Sequence, residues 1–179
     1  MEVSTPISPY AASKKAAELL AYTYHKQYQI DVSILRYFTV FGPLGRPDMA
    51  PYRFIKWILE EKPIILYGDG NQSRDFTYID DIAKGTILAE KELGYEVINL
   101  GGGSKPTTIK QFIHWVEELT GKKAKIEYVA PHKADMEYTM ADISKAKKLL
   151  GWQPSISVYE GLKEMTTYLD TFKFNESTL

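Results

Sequence analysis

The chain has no cysteine, so no disulfide bond can stabilise it. This absence fits a reducing compartment, and we expect a cytoplasmic location. No apolar run approaches the roughly 20 residues of a membrane-spanning helix, and the N-terminus lacks the charged-then-apolar pattern of a signal peptide. A strong charge of one sign is also missing, because 22 basic residues face 23 acidic ones. We therefore expect neither a membrane nor a nucleic acid as a partner.

Clusters of metal ligands are also missing. The three histidines, His25, His114 and His132, are far apart in the sequence. Asp80 and Asp81 are adjacent, so on a helix their side chains diverge, and no histidine or further carboxylate follows at ligand spacing. The sequence predicts no metal site.

What is present begins with a helix start close to the N-terminus. Ser8 and Pro9 precede a run of helix formers, so Ser8 is a good candidate for the N-cap. Tyr10 and Lys14 are four residues apart and share one face of the predicted helix. A cation beside a phenol favours the phenolate, which can then exchange protons with a substrate hydroxyl. The alternative is an ordinary amphipathic helix in which the two side chains are only neighbours.

The first half of the chain alternates helices and strands. The pattern predicts a helix over 10–28, a continuous buried strand over 32–38, and a helix over 51–61 with an apolar stripe. Ligands of open α/β sheets bind beyond the carboxyl ends of strands, so we expect a substrate loop at 39–49.

The second half continues with shorter elements. The predicted strands are 64–67, 76–79, 97–100 and 124–129, and the predicted helices are 80–93, 108–120, 142–151 and 158–172. Asp80 is the expected N-cap of the first of these helices. Gly101, Gly102 and Gly103 precede a helix as in a phosphate-binding loop, but the helix starts several residues later, so we favour a plain strand exit.

Several motifs occur in one order along the chain: Ser8-Pro9-Tyr10 with Lys14, the stretch 32–43, the stretch 45–49, Gly68-Asp69-Gly70, and the stretch 73–82. In this order the chain resembles the C-terminal half of the extended short-chain dehydrogenases/reductases that act as nucleotide-sugar epimerases and dehydratases. The similarity is greatest to the UDP-glucuronate 4-epimerases. It runs from about Ser8 beyond Gly151 and so includes most of the chain.

The resemblance implies an α/β fold: part of a Rossmann-like parallel sheet with a smaller mixed α/β substrate-binding subdomain. The glycine-rich dinucleotide-binding half that precedes the tyrosine in this family is expected to be absent. The implied divisions are a catalytic helix and strand (1–45), a substrate loop with a helix and short strand (46–75), a return to the core sheet (76–104), the substrate-binding subdomain (105–172) and a tail (173–179).

The resemblance also implies roles for individual residues. The tyrosine matching Tyr10 is the acid/base at the sugar hydroxyl, and the lysine matching Lys14 holds the nicotinamide ribose. The arginine matching Arg74 binds the nucleotide diphosphate, although a surface ion pair with Asp75 is the alternative. The family commonly has a second diphosphate-binding arginine before a proline-glycine-aspartate, whereas this sequence has His132-Lys133-Ala134-Asp135. Lys133 can supply a point charge to the diphosphate but not the forked donors of a guanidinium.

Thr39 and Arg46 indicate which sugar the site would accept. Many relatives that act on neutral sugars have asparagine at Thr39, whereas the glucuronate epimerases resemble this chain in having threonine there and arginine seven residues later. A guanidinium with a neighbouring hydroxyl can bind the C6 carboxylate of a uronic acid. The alternative for Arg46 is a solvent-facing loop residue.

The resemblance therefore implies an NAD-dependent 4-epimerase of UDP-glucuronate or a similar UDP-sugar, of which this chain is the substrate-binding part and inactive alone. One alternative is a UDP-sugar-binding or interaction module without turnover, and another is a dehydratase or decarboxylase fragment. We expect no tight NAD binding by this chain alone. An exposed strand edge leads us to expect a homo-oligomer or pairing with the missing half.

Overall fold

A computed structural model of the chain describes residues 5–6, 8–103, 105–131 and 136–171. The helices are α1 (Pro9–Tyr28), α2 (Ala50–Leu59), α3 (Ile79–Leu88), α4 (Ile109–Thr120), α5 (Ser144–Leu150) and α6 (Val158–Thr171). The strands are β1 (Val32–Tyr37), β2 (Thr39–Phe41), β3 (Pro63–Tyr67), β4 (Ser73–Arg74), β5 (Phe76–Tyr78), β6 (Tyr95–Leu100), β7 (Thr107–Thr108) and β8 (Lys125–Val129). The predicted tail, 173–179, lies outside the described residues.

The first helix forms where the sequence predicts it. The hydroxyl oxygen of Ser8 accepts a hydrogen bond from the Ala11 N–H at 3.1 Å, which confirms Ser8 as the N-cap. At the other end, Gln29 has a left-handed conformation and its N–H donates to the carbonyl of His25. No residue of α1 is buried, so this helix is only loosely packed on the rest of the chain.

Side-chain bonds at Glu18 connect α1 to the sheet. Arg36 of β1 donates from Nε and Nη2 to the two carboxylate oxygens of Glu18, at 2.6 and 2.7 Å. The hydroxyl of Tyr95 in β6 donates to the carbonyl of Glu18 at 3.0 Å. The ion pair with Arg36 is the main reason that the pKa of Glu18 is lowered.

The strands pair mainly in parallel. β1 pairs with β6, β2 with β5, and β3 with β8, all in parallel, while the two-residue strands β4 and β7 pair antiparallel. Each parallel pair needs a crossover connection, and helices supply much of it. The predicted α/β class with parallel strand pairs is confirmed.

The chain changes sheets immediately after β1, where a loop was predicted. The Phe38 N–H donates to the carbonyl of Leu100, the end of β6, and the next N–H, that of Thr39, donates to the carbonyl of Asp75. Residues 39–41 then pair with β5 as strand β2. The prediction that the substrate loop begins at Thr39 is therefore wrong, because these residues find a strand partner that is distant in the sequence.

An aromatic core lies between β2, β5 and the helices α2, α4 and α6. Its central rings are Phe41, Phe54, Phe76 and Phe112, and the centroids of Phe76 and Phe112 are 4.9 Å apart. Tyr78 also belongs to this core, and its hydroxyl donates to the carboxylate of Glu164 in α6 at 2.5 Å. Burial, with Glu164 as a further cause, raises the pKa of Tyr78.

A second core packs α3 and α5 on β6, and Asp81 fixes the chain beside it. The Trp152 indole N–H donates to the Asp81 carbonyl at 2.8 Å. The buried Asp81 carboxylate accepts from the Ser155 N–H, the Ser155 hydroxyl and the Ile156 N–H, each at 2.9 Å.

Helix α3 differs from its predicted bounds. It begins at Ile79 with Tyr78 as the N-cap and ends at Leu88, so the prediction of Asp80 as N-cap and of a helix to residue 93 is wrong. Asp80 lies in the first turn, where its charge favours the helix dipole.

The C-terminal helices start and stop at local signals. Thr108 caps α4 by accepting from the Gln111 N–H, and Gly121 ends it in a left-handed conformation. Helix α5 begins at Ser144 rather than at Asp142, because the Asp142 carboxylate accepts the Ser144 N–H from outside the helix. Within the described residues, no helix is both long and apolar enough to cross a lipid bilayer.

Candidate functional site

Tyr10 and Lys14 lie together on the first turns of α1. The Lys14 ammonium lies over the Tyr10 ring, 5.6 Å from its centroid, so the expected shared face is confirmed. Tyr10 is 71% exposed. The phenol and the ammonium can therefore reach a ligand on the outer side of α1.

Thr39 and Arg74 meet at one cavity of about 280 Å³. Thr39 begins β2, and Arg74 ends β4, which pairs with Thr107 of β7. Phe76, two residues after Arg74, is the register partner of Thr39. The cavity thus brings together a hydroxyl and a guanidinium that are far apart in the sequence.

Arg53 is a second guanidinium at this cavity, and the sequence reasoning missed it. It is on α2 and lies over the ring of Trp57, with its guanidinium carbon 4.4 Å from the ring centroid. The apolar stripe predicted on this helix is Phe54, Ile55, Ile58 and Leu59. The first three are buried, and Leu59 is partly buried against the same core. A charged residue beside such a stripe was the available signal. Two guanidinium groups around one small cavity favour an anionic ligand.

A larger cavity of about 1070 Å³ adjoins the first and shares Tyr67 and Gln72 with it. The exposed rings of Tyr67 and Tyr128, on the paired strands β3 and β8, form part of its wall. The Gln72 amide donates to the Tyr67 carbonyl at 2.7 Å, and Lys110 donates to the side chain of Asn71 at 3.1 Å. Flat aromatic surfaces beside polar groups suit a ring with hydrogen-bonding edges.

Lys133 lies outside the described residues, so its predicted contact with a diphosphate stays a prediction. The described residues on either side of this stretch, Pro131 and Met136, both line the larger cavity.

Arg46 lies outside the lining of both cavities. It is on the loop between β2 and α2, its side chain is 74% exposed, and it forms a two-bond ion pair with Asp48. That pair is the main cause that raises the pKa of Arg46, and the proximity of Tyr10 adds to it. The structure therefore places the Arg46 charge near Tyr10 and outside the cavity that Thr39 lines.

Asp75 follows Arg74 and is buried, so the carboxylate is not a surface partner. It accepts hydrogen bonds from the N–H groups of Ala141, Gly102 and Gly103. Burial raises the pKa of Asp75, and these N–H groups act in the opposite direction. The Gly102 and Gly103 N–H groups are thus directed to a carboxylate of the chain itself, which supports the strand exit and not a phosphate-binding loop.

Metal ligands do not cluster in the part of the chain that the structure describes: no three His, Cys, Asp or Glu side chains are grouped there as a metal ion would need.

Parallel strand pairs, crossover helices and polar side chains at the strand ends define an α/β chain of the Rossmann type. The sequence pattern of the NAD dependent epimerase/dehydratase family matches residues 1–101. The chain belongs to this family.

Among relatives, the UDP-glucuronate 4-epimerase of Thermodesulfobacterium geofontis is 64% identical over 168 residues, which are 94% of this chain and 52% of that protein. UDP-glucuronate 4-epimerase 1 of Arabidopsis thaliana is 38% identical over 189 residues, 95% of this chain and 44% of the relative. The chain spans about half the length of the curated relatives it matches.

Solved structures give the same result. The UDP-glucuronic acid 4-epimerase of Bacillus cereus, in complex with UDP-glucuronic acid and NAD, has a TM-score of 0.88 and 44% sequence identity. That similarity covers 93% of this chain and 54% of the Bacillus chain. UDP-glucose 4-epimerase from Thermotoga maritima, solved with UDP-glucose, has a TM-score of 0.89 and 33% identity, with 93% and 55% covered.

Proposed function

We propose that the chain forms the UDP-sugar-binding part of an NAD-dependent 4-epimerase that acts on UDP-glucuronate. The observation that carries this proposal is the cavity at which Thr39, Arg53 and Arg74 meet. Guanidinium groups suit a diphosphate, and the adjoining cavity with Tyr67 and Tyr128 suits the flat base of a nucleotide. Relatives and neighbours named for UDP-glucuronate support the choice of sugar.

In this proposal Tyr10 takes and returns the proton of the sugar 4-hydroxyl, and Lys14 binds the nicotinamide ribose. When bound, NAD would take a hydride from the sugar and give it back to the opposite face. The exposed Tyr10–Lys14 pair fits the ribose end of NAD. The glycine loop at 101–103 does not fit the pyrophosphate end, because Asp75 accepts its N–H groups. We therefore expect no tight NAD binding by this chain alone, and a micromolar affinity of the isolated chain in calorimetry would contradict this.

Calorimetric titration with UDP tests the cavity directly. Arg74→Ala should weaken binding about tenfold or more, because an arginine–phosphate contact is a charge-assisted pair worth more than 1.4 kcal/mol. Lys145→Met is the control, since Lys145 is paired with Glu96 and lines neither cavity. Equal affinities of wild type and Arg74→Ala would remove Arg74 from the site.

The sugar is tested at Arg46, once a dinucleotide-binding half of a relative has been fused or co-expressed. For a uronate-specific contact, Arg46→Ala should lower kcat/KM with UDP-glucuronate and change it little with UDP-glucose. That contact requires Arg46 to exchange Asp48 for the substrate carboxylate. An equal loss on both sugars would assign Arg46 to the structure of the loop. Product analysis separates epimerisation from dehydration, decarboxylation or binding without turnover.

We also propose that the outer face of α1 and the free edge of β1 bind a dinucleotide-binding half of the type that the longer relatives contain. Leu19, Leu20 and Tyr24 are more than half exposed on α1. Among the described strands, β1 pairs with β6 alone, so one edge has open N–H and C=O groups. Light scattering should show a one-to-one complex with such a half. If the chain forms a homodimer that does not bind the dinucleotide-binding half, the proposed partner is wrong. If the chain stays monomeric in the presence of that half, the proposed binding surface is wrong.

A further inference from the structure

Asp75 lies between two short strands and is 2% exposed. Its Oδ2 atom accepts the Ala141 N–H at 2.7 Å and the Gly103 N–H at 3.3 Å, and the Gly102 N–H is a third donor. The carboxylate therefore joins the exit of β6 to the segment that leads into α5. This buried group has no contact with either cavity, and the proposed reaction does not use it.

The backbone of the same residue joins two further segments. Its carbonyl accepts the Thr39 N–H at 3.3 Å, and its own N–H donates to the Thr139 hydroxyl at 3.3 Å. Two residues before it, the Ser73 N–H donates to the Glu137 carbonyl, and the Ser73 carbonyl accepts the Thr139 N–H. Thus β2, the strands around Asp75, the exit of β6 and residues 137–141 all meet at Asp75.

The neighbouring glycines leave space for tight packing around this carboxylate. A Cβ atom at Gly102 would overlap Oδ1 of Asp75, and one at Gly101 would overlap the side chain of Ala141. Glycine at both positions lets the loop backbone approach the buried carboxylate directly. The close approach of the Asp75 carboxylate thus accounts for Gly102, while Gly101 and Gly103 leave room for Ala141 and Ile143.

We propose that Asp75 is a positioning residue that fixes Thr39 and Arg74 across their shared cavity. Arg74 is bonded to it covalently, and Thr39 is one backbone hydrogen bond away. Glu137, which lines the larger cavity, is bound to Ser73, so both cavity walls are held at this point. The inference rests on the proposed function, because it takes the cavity as the UDP site.

A structural role alone would lower the stability of the protein without affecting the ligand specifically. Asp81 is the matched control: it is 1% exposed and accepts three hydrogen bonds from Ser155 and Ile156, but it lines neither cavity. Truncation of either aspartate leaves buried donors without an acceptor, so both should lower the free energy of unfolding. Only the truncation of Asp75 should alter the cavity.

The experiment measures UDP affinity by calorimetry for the whole chain and its Asp75→Ala, Asp75→Asn and Asp81→Ala variants. We expect Asp75→Ala to weaken UDP binding about tenfold or more, as displaced binding groups do, and Asp81→Ala to leave it within about twofold. Asp75→Asn, which retains one acceptor oxygen, should give an intermediate affinity and also serves if Asp75→Ala does not fold. Arg74→Ala should cost less in the Asp75→Asn background than in wild type.

A ligand-free measurement separates this inference from the proposed function. In NMR spectra without UDP, the Arg74 side-chain N–H and the Thr39 amide signals should shift in Asp75→Asn and stay in place in Asp81→Ala. If wild type does not bind UDP, the proposed site is wrong and these signals alone decide the positioning role. Unshifted signals in Asp75→Asn, or an equal loss of UDP affinity in the Asp75→Ala and Asp81→Ala variants, would overturn it.

Discussion

The attachment of α1 to the sheet should depend on Arg36. Because α1 has no buried residue, the two-bond pair between Arg36 and Glu18 is its strongest polar link to β1. The Glu18 side chain is 11% exposed and that of Arg36 is 30% exposed, so water screens the pair only in part. Replacing the guanidinium in Arg36→Met removes both bonds and leaves Glu18 with Lys15 as its charged partner.

We expect Arg36→Met to lower the free energy of unfolding by about 2–3 kcal/mol, since a hydrogen bond to a charged group contributes about 1.5–3 kcal/mol before screening. For a domain of this size that loss corresponds to a fall in Tm of about 4–12 °C. Urea unfolding gives the first quantity, and hydrogen exchange should show loss of protection concentrated in α1. Lys145→Met breaks a pair whose partners are 49% and 29% exposed and should cost less than about 1 kcal/mol.

The pH dependence gives an independent check. The Arg36 hydrogen bond lowers the pKa of Glu18 below its ordinary value of 4.5. The pair therefore contributes its full stability above about that pH and loses it as pH falls through the lowered pKa. The stability difference between wild type and Arg36→Met should shrink in acid. A difference that is independent of pH, or no larger than that of Lys145→Met, would refute the reasoning.

Two further predictions concern the cores. Tyr78→Phe removes the hydroxyl that donates to Glu164 and should lower the free energy of unfolding by about 1–2 kcal/mol in urea titrations; an unchanged value would show that the bond contributes nothing. Gly103→Ala and Gly121→Ala both place a side chain at positive φ, but only at Gly103 would the new Cβ overlap Ile143. Gly121→Ala should cost about 1 kcal/mol and Gly103→Ala at least twice as much, and equal losses would contradict the packing argument.

Local signals were sufficient for much of the fold. Ser8 followed by Pro9 marks the start of α1, and Thr108 and Gly121 mark the two ends of α4. Each of these signals acts through hydrogen bonds within a few residues, so the sequence alone contains the necessary information. The shared face of Tyr10 and Lys14 follows from helix geometry in the same way.

The features that the sequence did not predict depend on contacts between residues that are far apart in the sequence. Residues 39–41 become a strand because β5 is available to them, and Arg53 reaches the cavity only because β3, β4 and α2 meet there. The carboxylate of Asp75 is buried by segments up to 66 positions away in the sequence. None of these contacts has a local pattern that a sequence could display, since they depend on the packed arrangement of several elements.

The parallel pairing has a consequence for synthesis of the chain on the ribosome. Val32 of β1 pairs with Tyr95, and Pro63 of β3 pairs with Lys125, so about 60 residues separate the partners in each case. At a synthesis rate of roughly 5–20 residues per second, β6 is completed about 3–12 s after β1. During that interval the backbone of Val32–Tyr37 has no hydrogen-bond partner from β6. A chaperone that binds extended apolar segments would bind to this strand.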